Sequence, residues 1–427
     1  MRIESKLSLL LCTVVITVWF CGCSTATADV TAVNETTFVA RPYDDPAIKA
    51  VLDRIDQRPD VSDGYTQLAA LYIKKARETG NFSLNTSAEA AVDKAIAINA
   101  EDLVARKLKA SLQLTFHRFA DSLEEGKKLA SELPYDAFVY GILTDANAEL
   151  GNYPEAVVAA QKMVDLKPTS SSYARVAHIR SLHGDYSGAV EMYKVAAKTT
   201  DLADREAQAW CLVQLGNEYW RAGKYTESER VNDEALQVLP NYHHALFGKG
   251  RTLASRGELA SAAGYLVNAQ AHVPSMETAI LLGEIYERLG DRDAAGRQAS
   301  IMQSEEALGE HFDEHRLAHY WADNGVNLDR ALEIAQADYA VQKDIYASDT
   351  LAWCLFRKGR FAEAKIMIAE AMRLGTRDAK LFYHAGMIEQ AVGNRIAAKR
   401  YLQTALRINP AFDLAQSEIA RQTLRKL

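Results

Sequence analysis

Apolar residues recur at intervals of three and four positions along most of the chain, which is the period of an α-helix with one buried face. Proline interrupts this pattern at regular intervals. Five prolines are separated by 34, 72, 34 and 136 residues, that is by one, two plus four residues, one, and four units of 34: Pro134, Pro168, Pro240, Pro274 and Pro410. A fixed period of 34 residues, with two helical segments in each unit, predicts repeated helical hairpins.

Glycine marks the break between the two helical segments of most units. Eight glycines lie at or within one residue of the same phase of the period: Gly151, Gly184, Gly223, Gly257, Gly290, Gly325, Gly359 and Gly393. Glycine adopts the left-handed conformation that ends a helix, and proline cannot continue one. We therefore expect each hairpin to turn at its glycine and to end near its proline.

Residues inside the units also agree with one another. The clearest units hold large and small residues at matching positions: Tyr140, Leu143, Gly151, Tyr153, Ala156 and Pro168 in one, and Leu212, Leu215, Gly216, Tyr219, Gly223, Tyr225, Ala235 and Pro240 in another. This pattern resembles the tetratricopeptide repeat (TPR) family. The resemblance implies an all-α fold, an α-solenoid or superhelix of stacked hairpins.

About ten units fit between Ser62 and Pro410. In the first unit we expect a loop of about seven extra residues near positions 80–87. We assign residues 47–410 to the TPR array. Residues 411–427 have apolar positions among Gln, Arg and Lys, and we expect them to form the C-terminal capping helix that shields the last unit of a solenoid.

The N-terminal residues resemble an export signal. Two basic residues precede an uncharged apolar run of 14 residues, Leu7–Phe20, which suits a secretory signal and is shorter than the roughly 20 residues of a membrane-spanning helix. The run leads into Gly22 and Cys23, which resemble the lipobox of bacterial lipoproteins, although Phe20 and Cys21 depart from its usual residues.

The lipobox resemblance implies that residues 1–22 are a signal peptide and that Cys23 is lipidated. Residues 23–46 would then be the lipidated N terminus and a flexible tether. Because Ser24 follows the cysteine, the resemblance places the protein in the cell envelope facing the periplasm, at the outer membrane if the cell is Gram-negative. The alternative is cleavage after Ala28, which gives an exported protein without a lipid.

Composition and motifs exclude several classes of function. The chain has 49 Lys+Arg against 56 Asp+Glu and a formal net charge of −7, which offers no basic surface for nucleic acid. It lacks a P-loop, a nucleophile elbow and the H-E-x-x-H zinc motif. We expect a protein that is not an enzyme, uses no cofactor and binds no nucleic acid.

The TPR resemblance implies that the first helix of each hairpin lines a concave groove and presents partner contacts at fixed positions. The predicted partner-binding residues are Trp210, Asn217, Trp220, Arg221, Phe247, Arg251, Tyr346, Trp353, Phe356 and Tyr383. Aromatic residues and arginine are enriched in binding hot spots. Two alternatives stay open: individual aromatic rings pack against a neighbouring repeat, or Asn217, Arg221 and Arg251 together bind a chain-terminal carboxylate.

His311, His315 and His319 recur every four residues on one helical face. Two imidazoles one turn apart can share a Zn²⁺ or Ni²⁺ ion, but the third would hardly reach it, and a solvated groove wall accounts for the same residues. Cys211 and Cys354 lie four units apart, so we expect two buried thiols rather than a disulfide, because solenoid units contact only their neighbours.

These features together predict a membrane-tethered scaffold that binds another envelope protein or peptide in its concave groove. The alternative is a periplasmic accessory lipoprotein that binds a metal or a small ligand at the histidine stripe.

Overall fold

A computed structural model describes residues 45–308 and 314–427 of the chain. These residues form 22 helices and no strand. Helix α1 (Pro46–Gln57) comes first, helices α2 to α21 pair as ten successive hairpins, and α22 (Gln416–Lys426) comes last. The all-α solenoid predicted from the sequence is therefore confirmed. The predicted signal peptide, Cys23 and nearly all of the predicted tether lie outside the described residues.

The first helices of the ten hairpins are α2 (Ser62–Thr79), α4 (Leu103–Thr115), α6 (Ala137–Glu149), α8 (Ser170–Leu182), α10 (Arg205–Arg221), α12 (His243–Ser255), α14 (Met276–Leu289), α16 (Glu314–Asn324), α18 (Ile345–Arg357) and α20 (Ala379–Ala391). The second helices are α3 (Ser83–Ile98), α5 (Phe119–Glu132), α7 (Tyr153–Leu166), α9 (Tyr186–Lys198), α11 (Tyr225–Val238), α13 (Leu259–His272), α15 (Arg292–Leu308), α17 (Leu328–Val341), α19 (Phe361–Ala371) and α21 (Arg395–Ile408).

The predicted positions of glycine at the turns and of proline after the second helices are confirmed. All eight glycines of the 34-residue period lie in the turns within hairpins and have φ between 69° and 85°, the left-handed region that favours glycine. Each of the five periodic prolines lies two residues beyond the end of a second helix.

Close approach of the two helices in a hairpin recurs at the same place in different units. A Cβ atom at Gly250 would lie 2.6 Å from Cγ of Leu266, and one at Gly386 would lie 2.6 Å from Cγ of Leu402. Both leucines are fully buried. The two pairs are 136 residues apart, which is four units of 34, so the repeat in sequence is a repeat of one packing contact.

The first hairpin differs from the prediction of an extended loop. Its two helices, α2 and α3, have 18 and 16 residues, and only residues 80–82 connect them. Leu84 and Asn85, in the predicted loop, are buried within α3. The extra residues lengthen the helices because a longer helix buries this apolar surface and satisfies its own backbone, which a loop does not.

First helices of adjacent hairpins contact one another, whereas adjacent second helices do so far less. The first helices therefore lie on the shorter, inner radius of the solenoid. Their inward-facing residues form its concave surface, as the TPR resemblance implies.

The solenoid is wound tightly enough for successive superhelical turns to touch. At the third hairpin, Gln342 Nε2 donates to Glu149 Oε2 at 2.6 Å, and the Ile345 amide donates to the Tyr153 hydroxyl at 2.9 Å. At the fourth, the Thr376 hydroxyl donates to the Leu182 carbonyl.

The same arrangement continues at the fifth hairpin, where Asn409 Nδ2 donates to the Trp220 carbonyl at 2.8 Å and the Tyr225 hydroxyl donates to Asn409 Oδ1. In each case residues at the turn within one hairpin contact the segment that follows the hairpin five places further along the chain. Successive superhelical turns therefore touch at these three places, and the concave surface lines the interior of the superhelix.

Cys211 and Cys354 are both free and buried, as expected. Within the described residues, none of the helices combines the length and the apolar character that are needed to span a bilayer.

Candidate functional site

Four of the predicted partner-binding residues contact one another inside the superhelix. We call Asn217, Trp220, Phe247 and Arg251 the Arg251 cluster. Arg251 Nη2 donates to Asn217 Oδ1 at 2.5 Å. The guanidinium carbon lies 4.0 Å from the ring centroid of Trp220 and 5.4 Å from that of Phe247. These cation–π contacts hold the charge of Arg251 between two rings.

The Arg251 cluster has one hydrogen bond between its own members and one to a neighbouring residue. Trp220 Nε1 donates to Ser255 Oγ at 2.9 Å. Burial lowers the pKa of Arg251 to about 10, which still leaves it a cation at neutral pH. Its buried Nε atom has no hydrogen-bond partner among the described residues. The Nε–H group of Arg251 is therefore left for an acceptor that a ligand would supply.

Arg221 lies where two superhelical turns meet. Its Nη1 donates to Glu218 Oε1 at 2.7 Å, and Glu218 Oε1 also accepts from Ser181 Oγ at 2.8 Å. Tyr346, another predicted residue, lies with Arg221 and Asp378 in the lining of a cavity of about 20 Å³. A space of this size holds about one water molecule, so this junction is a packed polar contact rather than a ligand site.

Three other predicted residues, Trp353, Phe356 and Tyr383, meet near the C-terminal end of the array. Trp353 stacks on Phe356, with ring centroids 4.8 Å apart and an interplanar angle of 16°, and its centroid lies 5.6 Å from that of Tyr383. Trp353 and Tyr383 are each 2% exposed, while Phe356 is partly exposed. Here the alternative of packing against a neighbouring repeat holds for two of the three rings.

These rings form one wall of a cavity of about 210 Å³, which we call the C-terminal cavity. Helices α14, α16, α18, α20 and the capping helix α22 contribute to it. Its lining residues are Glu284, Asp323, Asn324, Trp353, Phe356, Arg357, Tyr383, Met387, Asp413, Ala415, Gln416 and Ile419. The cavity thus combines aromatic and aliphatic surface with three carboxylates.

Asp323 is the centre of the polar network in this wall. Its Oδ1 accepts from Trp353 Nε1 at 2.7 Å and from Gln416 Nε2 at 2.5 Å. Its Oδ2 accepts from Lys380 Nζ at 3.1 Å, and Lys380 Nζ also lies 3.9 Å from Asp413 Oδ2. Although burial opposes the charge of Lys380, the carboxylates of Asp323 and Asp413 raise its pKa above the usual value.

Glu284 faces the same cavity, and nearby positive charges compensate its buried carboxyl group only in part. Burial raises its pKa to about 7, and the negative charges of Asp413 and Asp323 act in the same direction. Lys380 and Arg288 lower it but do not offset these effects. An acid whose pKa is raised by burial and by neighbouring negative charges gains from the arrival of a cation.

The histidine stripe is only partly visible. His311 lies outside the described residues, and His315 lies in α16 with its side chain outside them. His319 is described, and its Nε2 lies 3.6 Å from Asp323 Oδ2. The structure adds His384, a residue that the sequence analysis did not connect with the stripe, with its ring centroid 5.5 Å from that of His319.

Trp210, near the start of α10, has 37% of its surface exposed. Sequence reasoning missed Asp413 and Gln416 as site residues, because they belong to the capping segment and lie outside the repeat positions that the TPR resemblance supplies. Glu284 and Lys380 lie at first-helix positions, and their charge was the available signal.

Comparison with known proteins identifies repeats within this fold. Residues 208–239 and 379–412 each match a family model described as tetratricopeptide repeat. These segments correspond to the hairpins α10–α11 and α20–α21. The chain therefore contains TPR units, which are typical of scaffolds that bind other proteins.

Two solved structures show a similarity in shape. One is the crystal structure of PilW, described as a widely conserved type IV pilus biogenesis factor, with 16% identity, coverage of 49% of this chain and 96% of that chain, and a TM-score of 0.40. The other is the APC/C hetero-tetramer Cut9-Hcn1, with 14% identity, coverage of 88% and 92%, and a TM-score of 0.35. Among curated protein sequences, none matches this chain.

Proposed function

We propose that this protein is a lipid-anchored scaffold of the bacterial cell envelope that holds a segment of another envelope protein at its C-terminal cavity. The observation that carries the proposal is the composition of that cavity. Phe356, Met387 and Ile419 supply apolar surface beside the carboxylates of Glu284 and Asp413. The tight winding of the superhelix favours an extended or helical segment over a folded domain as the occupant.

The chemistry of the cavity favours a basic side chain in that segment. Lysine and arginine bury their aliphatic stems against apolar surface while the charged group pairs with an anion. The exposed part of Phe356 offers contact for the stem, and Glu284 offers a carboxyl group, with its pKa raised to about 7, whose ionised form a basic side chain would stabilise. We therefore propose that the partner inserts lysine or arginine here.

The test is affinity capture from the envelope of the cells that produce the protein, after crosslinking. The full-length chain is compared with a double variant, Phe356→Ser and Ile419→Ser, which removes apolar surface from the cavity. The matched control is Ile366→Ser and Ile396→Ser, which removes two side chains that are 69% and 87% exposed.

Loss of an anchoring side chain typically costs more than about 2 kcal/mol of binding free energy, or about 30-fold in affinity. We expect the partner to be recovered with the wild type and the control and to be lost with the cavity variant. Equal recovery with the cavity variant would refute the C-terminal cavity as the binding site.

The lipid anchor is tested separately by Cys23→Ala. Several acyl chains give stable membrane association, whereas the sequence offers no basic surface for an electrostatic alternative. We expect the wild type to stay with the membrane fraction after a salt wash and the variant to enter the soluble fraction. A variant that stays with the membrane would place the anchor elsewhere.

A further inference from the structure

Two imidazoles and a carboxylate converge beside the C-terminal cavity. His319 and Asp323 lie one turn apart on α16, and His384 lies on α20. Each of the three can offer one ligand atom, and these atoms all lie within 4.8 Å of one another. This grouping differs from the stripe of three histidines in the sequence, because only His319 belongs to both.

His384 is oriented as metal-binding histidines are. Its ring is fully buried, and its Nδ1 lies 2.8 Å and 3.0 Å from the two carboxylate oxygens of Asp349. A carboxylate only accepts hydrogen bonds, so Nδ1 carries a proton, and in the neutral imidazole Nε2 then keeps the lone pair that a metal needs. A histidine whose second nitrogen donates to a carboxylate is the usual partner arrangement of a metal ligand.

The Nε2 atom of His384 has no hydrogen-bond partner in the described part of the chain, although it is buried. Trp353 stacks on the same ring with centroids 4.1 Å apart, which fixes the plane in which Nε2 lies. An unsatisfied buried acceptor costs free energy that a bound cation would recover.

Lys380 is the group that competes with a cation here. Its Nζ lies 3.1 Å from Asp323 Oδ2, the oxygen that faces His319. Asp413 lies 3.9 Å from the same Nζ, so the ammonium group keeps a carboxylate partner when Asp323 turns to a metal. Removal of the positive charge at residue 380 should strengthen metal binding, a sign that no merely structural role of these residues predicts.

We propose that His319, Asp323 and His384 bind a divalent zinc ion, with Asp349 as a positioning residue. Two imidazole nitrogens and one carboxylate oxygen are a typical protein ligand set for zinc, with water in the fourth position. The ion would tie α16 to α20 across α18. Because Asp323 also lines the C-terminal cavity, the ion would fix one wall of that cavity. The site does not depend on the proposed binding of a protein segment.

The experiment is titration of the purified full-length chain with Zn²⁺ against a chromophoric chelator of known affinity. We compare the wild type with His319→Ala, Asp349→Asn and Lys380→Met. The matched control is His272→Ala, which removes an exposed histidine from α13.

We expect micromolar or tighter binding by the wild type and the control. We expect binding to be weaker by at least about tenfold in His319→Ala and by about 10–100-fold in Asp349→Asn, and to be tighter in Lys380→Met. Absence of wild-type binding, or unchanged affinity in His319→Ala, would overturn the proposal.

Two further measurements separate ligation from folding. Thermal unfolding without metal shows whether each variant folds. If Asp349→Asn does not fold, the zinc affinity of His319→Ala alone tests the site. The visible absorption of bound Co²⁺ reports tetrahedral coordination, and it should be lost in His319→Ala. Retention of the metal in that variant, with its loss on His311→Ala or His315→Ala instead, would assign the ion to the sequence stripe and refute the site described here.

Discussion

Several ionisable residues of this superhelix lie at contacts between its turns, where burial controls their charge. Glu149, the last residue of α6, is an example. Burial raises its pKa to about 8, and the negative charges of Asp344, Asp145 and Asp338 act in the same direction, while the hydrogen bond from Gln342 lowers it. Glu149 is therefore largely protonated at neutral pH, as part of the contact between two turns.

This raised pKa makes stability depend on pH. In the unfolded chain Glu149 has an ordinary pKa near 4.5, so the unfolded state binds fewer protons than the folded state between about pH 4.5 and 8. The contribution of Glu149 to stability is complete below pH 4.5 and is lost as the pH rises through about 8. Besides the three aspartates, Tyr153 and Arg373 are titratable groups at this junction, with the Arg373 guanidinium carbon 5.0 Å from the centroid of the Tyr153 ring.

Glu149→Gln removes this titration and keeps the acceptor for Gln342. We expect the variant and the wild type to have similar thermal stability at pH 5. At pH 8 we expect the variant to be more stable by about 1–3 kcal/mol, because the wild type then holds a buried, ionised carboxylate that is not fully hydrogen-bonded. Thermal melts followed by circular dichroism at both pH values check this, and a constant difference between the two proteins would contradict it.

The sequence predicts the location of site residues better than their contacts. Trp353 and Tyr383 were predicted to lie in first helices, and they do. Their mutual contact, the stacking on His384 and the proximity of His384 to His319 depend on the angle between neighbouring hairpins, which a repeat pattern does not specify. The grouping of the proposed zinc-binding residues is therefore seen only in the three-dimensional structure.

At the scale of elements, the hairpins follow from local rules. Glycine at the turn and proline after the second helix act within a few residues, which is why the ten hairpins could be predicted from a 34-residue period. The first hairpin could not, because the choice between a loop and longer helices depended on whether Leu84 finds a buried position.

Gly184 is required both by its own backbone conformation and by a close contact with the next superhelical turn. Its φ is +73°, and a Cβ atom there would lie 2.5 Å from the carbonyl oxygen of Gly375 in the next superhelical turn. Gly359 has a φ of +75° and nothing within 4 Å of the same position. The two glycines therefore share a backbone conformation and differ in the contact between turns.

We expect Gly359→Ala to lower the free energy of unfolding by about 1 kcal/mol, the cost of a left-handed alanine. We expect Gly184→Ala to cost at least about twice as much, because the methyl group also separates two turns of the superhelix. Chemical or thermal unfolding of both variants measures the difference. Equal losses would mean that the turns do not touch at Gly184.

At the scale of the whole molecule, closure of the superhelix decides what the concave surface can bind. The contacts at Glu149, Leu182 and Trp220 join residues that are 193, 194 and 189 positions apart. Small rotations between hairpins add up along a solenoid to set this geometry. The sequence pattern predicts the hairpins but not those rotations, so the contacts between superhelical turns were not predicted.

Site-specific photocrosslinking can show whether a partner segment occupies the C-terminal cavity. A photoreactive phenylalanine analogue is placed at Phe356 in one protein and at Phe138, which is 46% exposed on another part of the array, in the other. Both are expressed as full-length chains and irradiated in cells.

We expect position 356 to crosslink to an envelope protein within a segment that contains lysine or arginine, and position 138 not to capture that protein. An identical product from both positions, or a product from position 138 alone, would contradict the claim that the C-terminal cavity is where this protein binds its partner.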